Sequence, residues 1–192
     1  MKKLNVLFVA ILALAMFAVS ANAQFKIGSE IEGFTLSDSN GTEKSFNDLK
    51  GKNGTLIIFL SVQCPVVKAY DERINKIAED YSAKGINVVG INSNYTETAE
   101  KIKKHTEENY KFTVLIDKGN VIADKFNASA TPETFFFDKT GKLAYHGGID
   151  NNKNSEEATN SYLREALDAA LAGKTITKAE TRSFGCTIKR QK

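Results

Sequence analysis

The sequence predicts an α/β domain: a mixed β-sheet sandwiched by helices. Three observations carry the expectation. Strand-like and helical stretches alternate along the chain, the inner strand-like runs are almost wholly apolar, and the last two such runs flank a tight turn.

The chain of 192 residues opens on MKKLNVLFVAILALAMFAVSANA. Lys2 and Lys3 make a basic end, Val6 to Val19 an unbroken apolar run, and Ala21-Asn22-Ala23 the small residues that a signal peptidase needs. The apolar run has 14 residues, short of the roughly 18 to 20 of a permanent bilayer anchor. The expectation is a signal peptide over 1–23, cleaved near Ala23, with no stable membrane anchor and a periplasmic or secreted mature chain. Gln24 follows the cut, and it is not a cysteine that could carry lipid.

Phe34-Thr35-Leu36 alternates like a short strand, and Ser39-Asn40-Gly41 is a tight-turn signal. Ser45 to Leu49 reads as a brief helical turn closed by Gly51. Thr55 to Ser61 is a near-continuous apolar and β-branched run, suited to a strand covered on both faces. After Cys64-Pro65, the residues Val67, Tyr70, Ile74, Ile77 and Tyr81 recur at spacings of three and four, one apolar stripe of a helix that stops at Gly85. Ile86 to Ile91 is a second buried strand, and Thr96 to Asn109 a polar, lysine-rich helix. Thr113 to Ile116 is a strand, and Val121 to Phe126 a short helix. Thr134 to Phe137 and Leu143 to Tyr145 form a hairpin around Asp138-Lys139-Thr140-Gly141. Tyr162, Leu163, Ala166, Leu167, Ala170 and Leu171 stripe a last helix, ended by Gly173. The domain therefore covers 24–174, and 175–192 is a tail carrying Cys186.

Lys and Arg number 26 against 23 Asp and Glu, and removal of Lys2 and Lys3 brings the two nearly level. That balance gives no electrostatic case for nucleic acid. Lys189, Arg190 and Lys192 form a small basic end, expected to be disordered. Two cysteines in a chain of this size do not make a disulfide-stapled scaffold. His105 and His146 stand far apart, outside any metal-ligand spacing with the cysteines, and are expected as surface or core histidines. No glycine-rich phosphate loop or dinucleotide fingerprint is present, so neither a metal nor another cofactor is expected.

The chemistry concentrates at Cys64. A strand that turns directly into a helix leaves its junction at the sheet edge, where ligands reach α/β proteins. Pro65 suits the first helical position because its missing N–H costs nothing there. Cys64 then sits at the N-cap, facing free backbone N–H groups and the positive end of the helix dipole, both of which favour the nucleophilic thiolate. The bland alternative is a buried, inert cysteine. The second of the two prolines, Pro132, follows Thr131 just before a strand. It reads either as a cis-proline whose preceding backbone is unpaired and open to an extended peptide, or as an ordinary loop proline.

Five segments together carry a family resemblance: CPVVKAYDERI around Cys64, GINSN at 90–94, TPETFFFD at 131–138, YHGGIDNN at 145–152 and AETRSFGCTIK at 179–189. With the stretch from Gly28 to Ile74, they resemble the redoxin superfamily of alkyl hydroperoxide reductase/thiol-specific antioxidant proteins and their thioredoxin-like relatives. The match is closer to the peroxiredoxin-like subgroup, over nearly the whole mature chain. The resemblance implies a thioredoxin-like fold, Cys64 as the redox-active cysteine, and Thr131-Pro132 as a cis-proline loop beside it. It further implies Ser61, Gln63, Pro65, Thr131 and Pro132 as the surroundings that receive a substrate. The expected partner is a protein or small-molecule thiol or disulfide, or a hydroperoxide. Three departures stand out: Val67 occupies the place of a thioredoxin's second cysteine, Ile57 replaces a peroxiredoxin proline, and no arginine matches the peroxide-activating one, Arg73 lying more than two turns beyond Cys64.

Cys186 is left with three readings. It resolves an oxidised Cys64, it forms a permanent staple pinning the tail, or it is an unpaired surface thiol. Closing so long a loop would destabilise the unfolded chain by roughly 5 kcal/mol.

Overall fold

The computed structural model describes residues 25–191, so the expected signal peptide, Gln24 and Lys192 lie outside the described residues. Strands β1 (Thr35–Asp38) and β2 (Glu43–Ser45) lead through a 3-10 turn (Phe46–Leu49) to β3 (Gly54–Leu60), α1 (Pro65–Ser82) and β4 (Ile86–Asn92). Next come α2 (Ala99–Asn109), β5 (Thr113–Ile116), α3 (Val121–Lys125), β6 (Ala130–Thr131) and β7 (Glu133–Asp138). The chain ends with β8 (Leu143–Gly147), a second 3-10 turn (Ser155–Glu157), α4 (Tyr162–Leu171) and β9 (Cys186–Thr187).

Seven strands form one mixed sheet in the order β2-β1-β5-β4-β3-β7-β8. β3, β4 and β5 run parallel, β7 folds back antiparallel beside β3, and β8 pairs antiparallel with β7 at the edge. All seven residues of β3 are buried because helices or loops cover both faces. Its alternation sorts the core in two. Leu56, Ile58 and Leu60 meet Tyr70, Ile74, Ile77 and Tyr81 of α1 and Leu163 and Leu167 of α4. Ile57 and Phe59 face Phe126, Phe135, Phe137 and Leu115 on the other side.

The helix predicted from Thr96 begins three residues later, at Ala99. Thr98 is its N-cap, its hydroxyl accepting the Lys101 N–H, and this frees Glu97 to turn inward. A larger difference concerns the C-terminal end. Residues 179–191 are a strap laid across the domain, and within the end expected to be disordered Lys189 and Arg190 are anchored to it. Ile188 is buried, the Lys189 N–H donates to Asn94 Oδ1 at 2.9 Å, and Arg190 pairs with Asp124 at 2.6 Å.

Candidate functional site

Cys64 lies where β3 ends and α1 begins, at the carboxyl end of the central strands. It is the N-cap of the 18-residue α1 in extended backbone geometry, and Pro65 takes the first helical position. The three residues before it are held by one buried carboxylate. Glu97 Oε1 accepts the Ser61 hydroxyl at 2.6 Å and the Gln63 N–H at 3.0 Å. Its Oε2 accepts the Val62 N–H at 2.9 Å and the Asn92 amide at 2.5 Å. Four donors thus spend the whole acceptor capacity of Glu97, and the loop presenting Cys64 is fixed from behind.

The Thr131-Pro132 peptide bond is cis, and the Thr131 carbonyl oxygen stands 3.2 Å from Cys64 Sγ. Glu133, next along the chain, shapes this loop. Its Oε2 accepts the N–H groups of Ser129 and Ala130 at 2.8 and 2.9 Å, and its Oε1 lies 2.6 Å from His146 Nε2. Burial pushes the Glu133 carboxyl up, but the His146 contact and the two N–H donors outweigh it and hold it below 4.5, its ordinary value. The stabilisation is complete at pH well above 4.5, where folded and unfolded chains both carry the charge. It is lost as pH falls below that value and through the lower folded pKa, because the unfolded chain binds the proton first. In urea unfolding across this acid range, Glu133→Gln should therefore flatten part of the loss of stability with acid; an unchanged slope would assign that loss to other carboxylates.

The strap closes the site from outside. Cys186 is joined to Cys64 by a disulfide with Cα atoms 5.8 Å apart, and among the described residues no cysteine is free. β9 pairs antiparallel with β6, Thr131 opposite Cys186 and Ala130 opposite Thr187. The backbone expected to be open beside Pro132 is therefore occupied by the chain's own tail. Glycines make the fit. A Cβ on Gly185 would come within 2.0 Å of the Thr131 oxygen, and one on Gly147 within 2.6 Å of the Thr181 oxygen. Upstream, Thr181 N–H donates to the His146 carbonyl at 3.0 Å, and His146 N–H to the Ala179 carbonyl at 2.9 Å. The buried Tyr145 hydroxyl lies 2.5 Å from the Gly148 oxygen and 2.6 Å from the Thr181 hydroxyl. Burial pushes its pKa up to about 12, so it stays a donor.

The remaining candidates divide. Ser61 is buried and its hydroxyl is committed to Glu97, Thr131 and Pro132 are buried under the strap, and Gln63 and Pro65 are exposed. Arg73 is committed elsewhere: it pairs with Asp150 at 2.5 Å and donates to the Asn152 carbonyl at 2.8 Å. Tyr70 donates to the same Asp150 at 2.6 Å. His146 stacks on Phe135 with ring centroids 4.3 Å apart, and His105 packs edge-on against Tyr110. Glu97 and Glu133 were not among the residues singled out from the sequence. Among the described residues no helix is long and apolar enough to cross a membrane.

A cysteine at a strand-to-helix junction, bridged beside a cis-proline on a mixed sheet, defines a redoxin of the thioredoxin-like fold. The chain belongs to the AhpC/TSA family, whose model matches residues 27–146. It is 30% identical to the thiol-disulfide oxidoreductase ResA of Bacillus cereus over 122 residues, 62% of this chain and 68% of that one. A crystal structure of a conserved protein from Geobacillus kaustophilus is 31% identical with a TM-score of 0.82, over 88% of this chain and 94% of that one. The thiol:disulfide interchange protein DsbE of Chlorobium tepidum shares the fold at 21% identity and a TM-score of 0.64, over 77% of this chain and 99% of that one.

Proposed function

We propose that this protein is an exported thiol-disulfide oxidoreductase whose working pair is Cys64 and Cys186. The observation that carries the proposal is the bridge itself, seated between the N-terminus of α1 and the Thr131-Pro132 loop. Cys64 is the nucleophile that closes the bridge. Free N–H groups and the dipole of a long helix favour its thiolate, and attack of that thiolate on a mixed disulfide closes the bridge and expels the partner's thiol. Cys186 supplies the second sulfur that Val67 does not. Gln63 and Pro65 form the exposed rim that a partner meets, and Thr131 and Pro132 hold the backbone beside the sulfurs. The names of the ResA relatives support a protein or small-molecule thiol or disulfide as partner. A hydroperoxide fits less well, because the Ser61 hydroxyl is spent on Glu97 and Arg73 on the loop around Asp150. The signal-like N-terminus supports cleavage near Ala23 and a periplasmic or secreted location.

Equilibration of the mature protein in graded mixtures of reduced and oxidised glutathione tests the proposal. The expected result is one reversible two-electron transition of the native fold, with insulin disulfides reduced by the dithiol form and turnover stalled in Cys64→Ser. A native bridge inert to these thiols would sink it and favour a binding module with structural cysteines.

A further inference from the structure

We propose that Cys186, and not Cys64, is the sulfur that exchanges with the outside partner, so that the mixed disulfide forms on the strap while Cys64 acts only within the molecule. The inference rests on the pair being a working redox couple and gives its steps an order.

The two sulfurs are not equally placed. Cys64 is only 1% exposed, with the Thr131 carbonyl against its Sγ. Cys186 is half-buried, and its neighbours Gly185 and Thr187 are both exposed. This asymmetry survives opening of the bridge because the strap has anchors that owe nothing to it. Downstream, Ile188 is buried in the core and donates its N–H to the Ser129 carbonyl at 3.0 Å. Lys189 exchanges two bonds with the Asn94 side chain and the Tyr95 N–H, and Arg190 binds Asp124 and the Ala128 carbonyl. Upstream, the backbone of 179–181 pairs with His146, and Phe184 packs against Tyr70 with ring centroids 6.1 Å apart. With anchors on both sides, Cys186 stays seated over Cys64 in the dithiol form. Nothing inside α1 can substitute, since Val67 is fully buried in the core.

The chemistry agrees with the geometry. Exchange is faster at the accessible sulfur and when the departing thiolate is the better stabilised one. An outside thiolate attacks Cys186 Sγ, the S–S bond breaks, and its electron pair leaves on Cys64 Sγ at the N-terminus of α1. A second outside thiolate then attacks its own sulfur in the mixed disulfide, releasing Cys186 as the thiolate and completing a two-electron reduction of the protein. Run backward on a target disulfide, the Cys186 thiolate attacks one target sulfur and expels the other. Cys64 then attacks Cys186 Sγ, re-forms the bridge and releases the second target thiolate.

The test uses the oxidised wild-type protein. A pulse of reduced glutathione is quenched with acid within seconds, and the digested protein is mapped by mass. Glutathione is expected on the peptide holding Cys186 in at least about tenfold excess over that holding Cys64. In parallel, oxidised glutathione should modify Cys186 in Cys64→Ser at least about ten times faster than Cys64 in Cys186→Ser. In denaturant, where the strap no longer covers Cys64, that ratio should collapse. Glutathione found equally or preferentially on Cys64 of the wild type overturns the inference and leaves the redox pair intact. A bridge that stays closed in the native protein overturns the redox reading and this inference together.

Discussion

Reduction of the Cys64–Cys186 bridge should lower the unfolding free energy by roughly 5 kcal/mol, the largest effect expected of any single change to this chain. The bridge spans 122 residues, so opening it returns to the unfolded chain the entropy of a very long loop. The folded chain should change little, because the anchors on Ile188, Lys189, Arg190 and Thr181 remain. With a urea slope of about 2 kcal/mol per molar, the midpoint falls by about 2.5 M. Urea unfolding of oxidised and reduced protein, followed by circular dichroism because the chain has no tryptophan, measures it. Cys186→Ser should match the reduced protein. A shift under about 1 kcal/mol would mean that the bridge constrains the folded and unfolded chains alike. The same number bears on function. By linkage, a bridge that stabilises the fold this much is itself favoured by the fold, to the extent of about 100 mV over the unfolded pair. Such a dithiol is biased toward giving electrons to its partner.

The architecture was legible in the sequence because it is written in local periodicity. The unbroken apolar run over Thr55–Ser61 and the stripe from Val67 to Tyr81 are each the local pattern of the element they form, and β3 and α1 fall where those patterns lie. Cys64 was legible for the same reason, as the point where the apolar run gives way to the helical stripe. The strap was not. Its two-residue strand β9 and the path over 179–185 have no repeat to read, and their partners lie more than thirty residues away in sequence. One signal was present: adjacent Gly147-Gly148 and the lone Gly185 precede Ile149 and Cys186 where nothing local calls for a turn. In the fold they mark where two stretches of backbone come too close for a Cβ. Glu133 and Glu97 were unreadable for another reason. Each is an acid outside any apolar repeat, Glu97 between two threonines and Glu133 at the head of a strand, indistinguishable by pattern from a solvated one until the donors converge on it. The family match over 27–146 ends at β8, so the strap and Cys186 lie beyond it. In this chain the sulfur bridged to Cys64 comes from a segment beyond that match rather than from the first turn of the helix.

Glu97→Gln should destabilise the oxidised protein by about 3 kcal/mol and slow closure of the bridge. Two of the four donors on this carboxylate meet each of its oxygens, among them the backbone N–H groups of Val62 and Gln63. An amide keeps one acceptor oxygen and turns an NH2 group toward the donors of the other, leaving buried N–H groups without partners. The cost therefore falls on the segment that positions Cys64, and not on the sheet, whose registers do not involve Glu97. Two measurements separate this from a general loss of packing. Urea unfolding should show the lost stability, and stopped-flow reoxidation of the dithiol, well below the unfolding midpoint, should show slower bridge formation. Ile122→Val, a cavity change in the opposite core cluster, supplies the control: it should cost about 1 kcal/mol and leave the reoxidation rate unaltered. Equal slowing in both variants would reduce Glu97 to a stabilising residue. Slowing in Glu97→Gln alone would make it a positioning residue for Cys64, acting through the loop of Ser61, Val62 and Gln63.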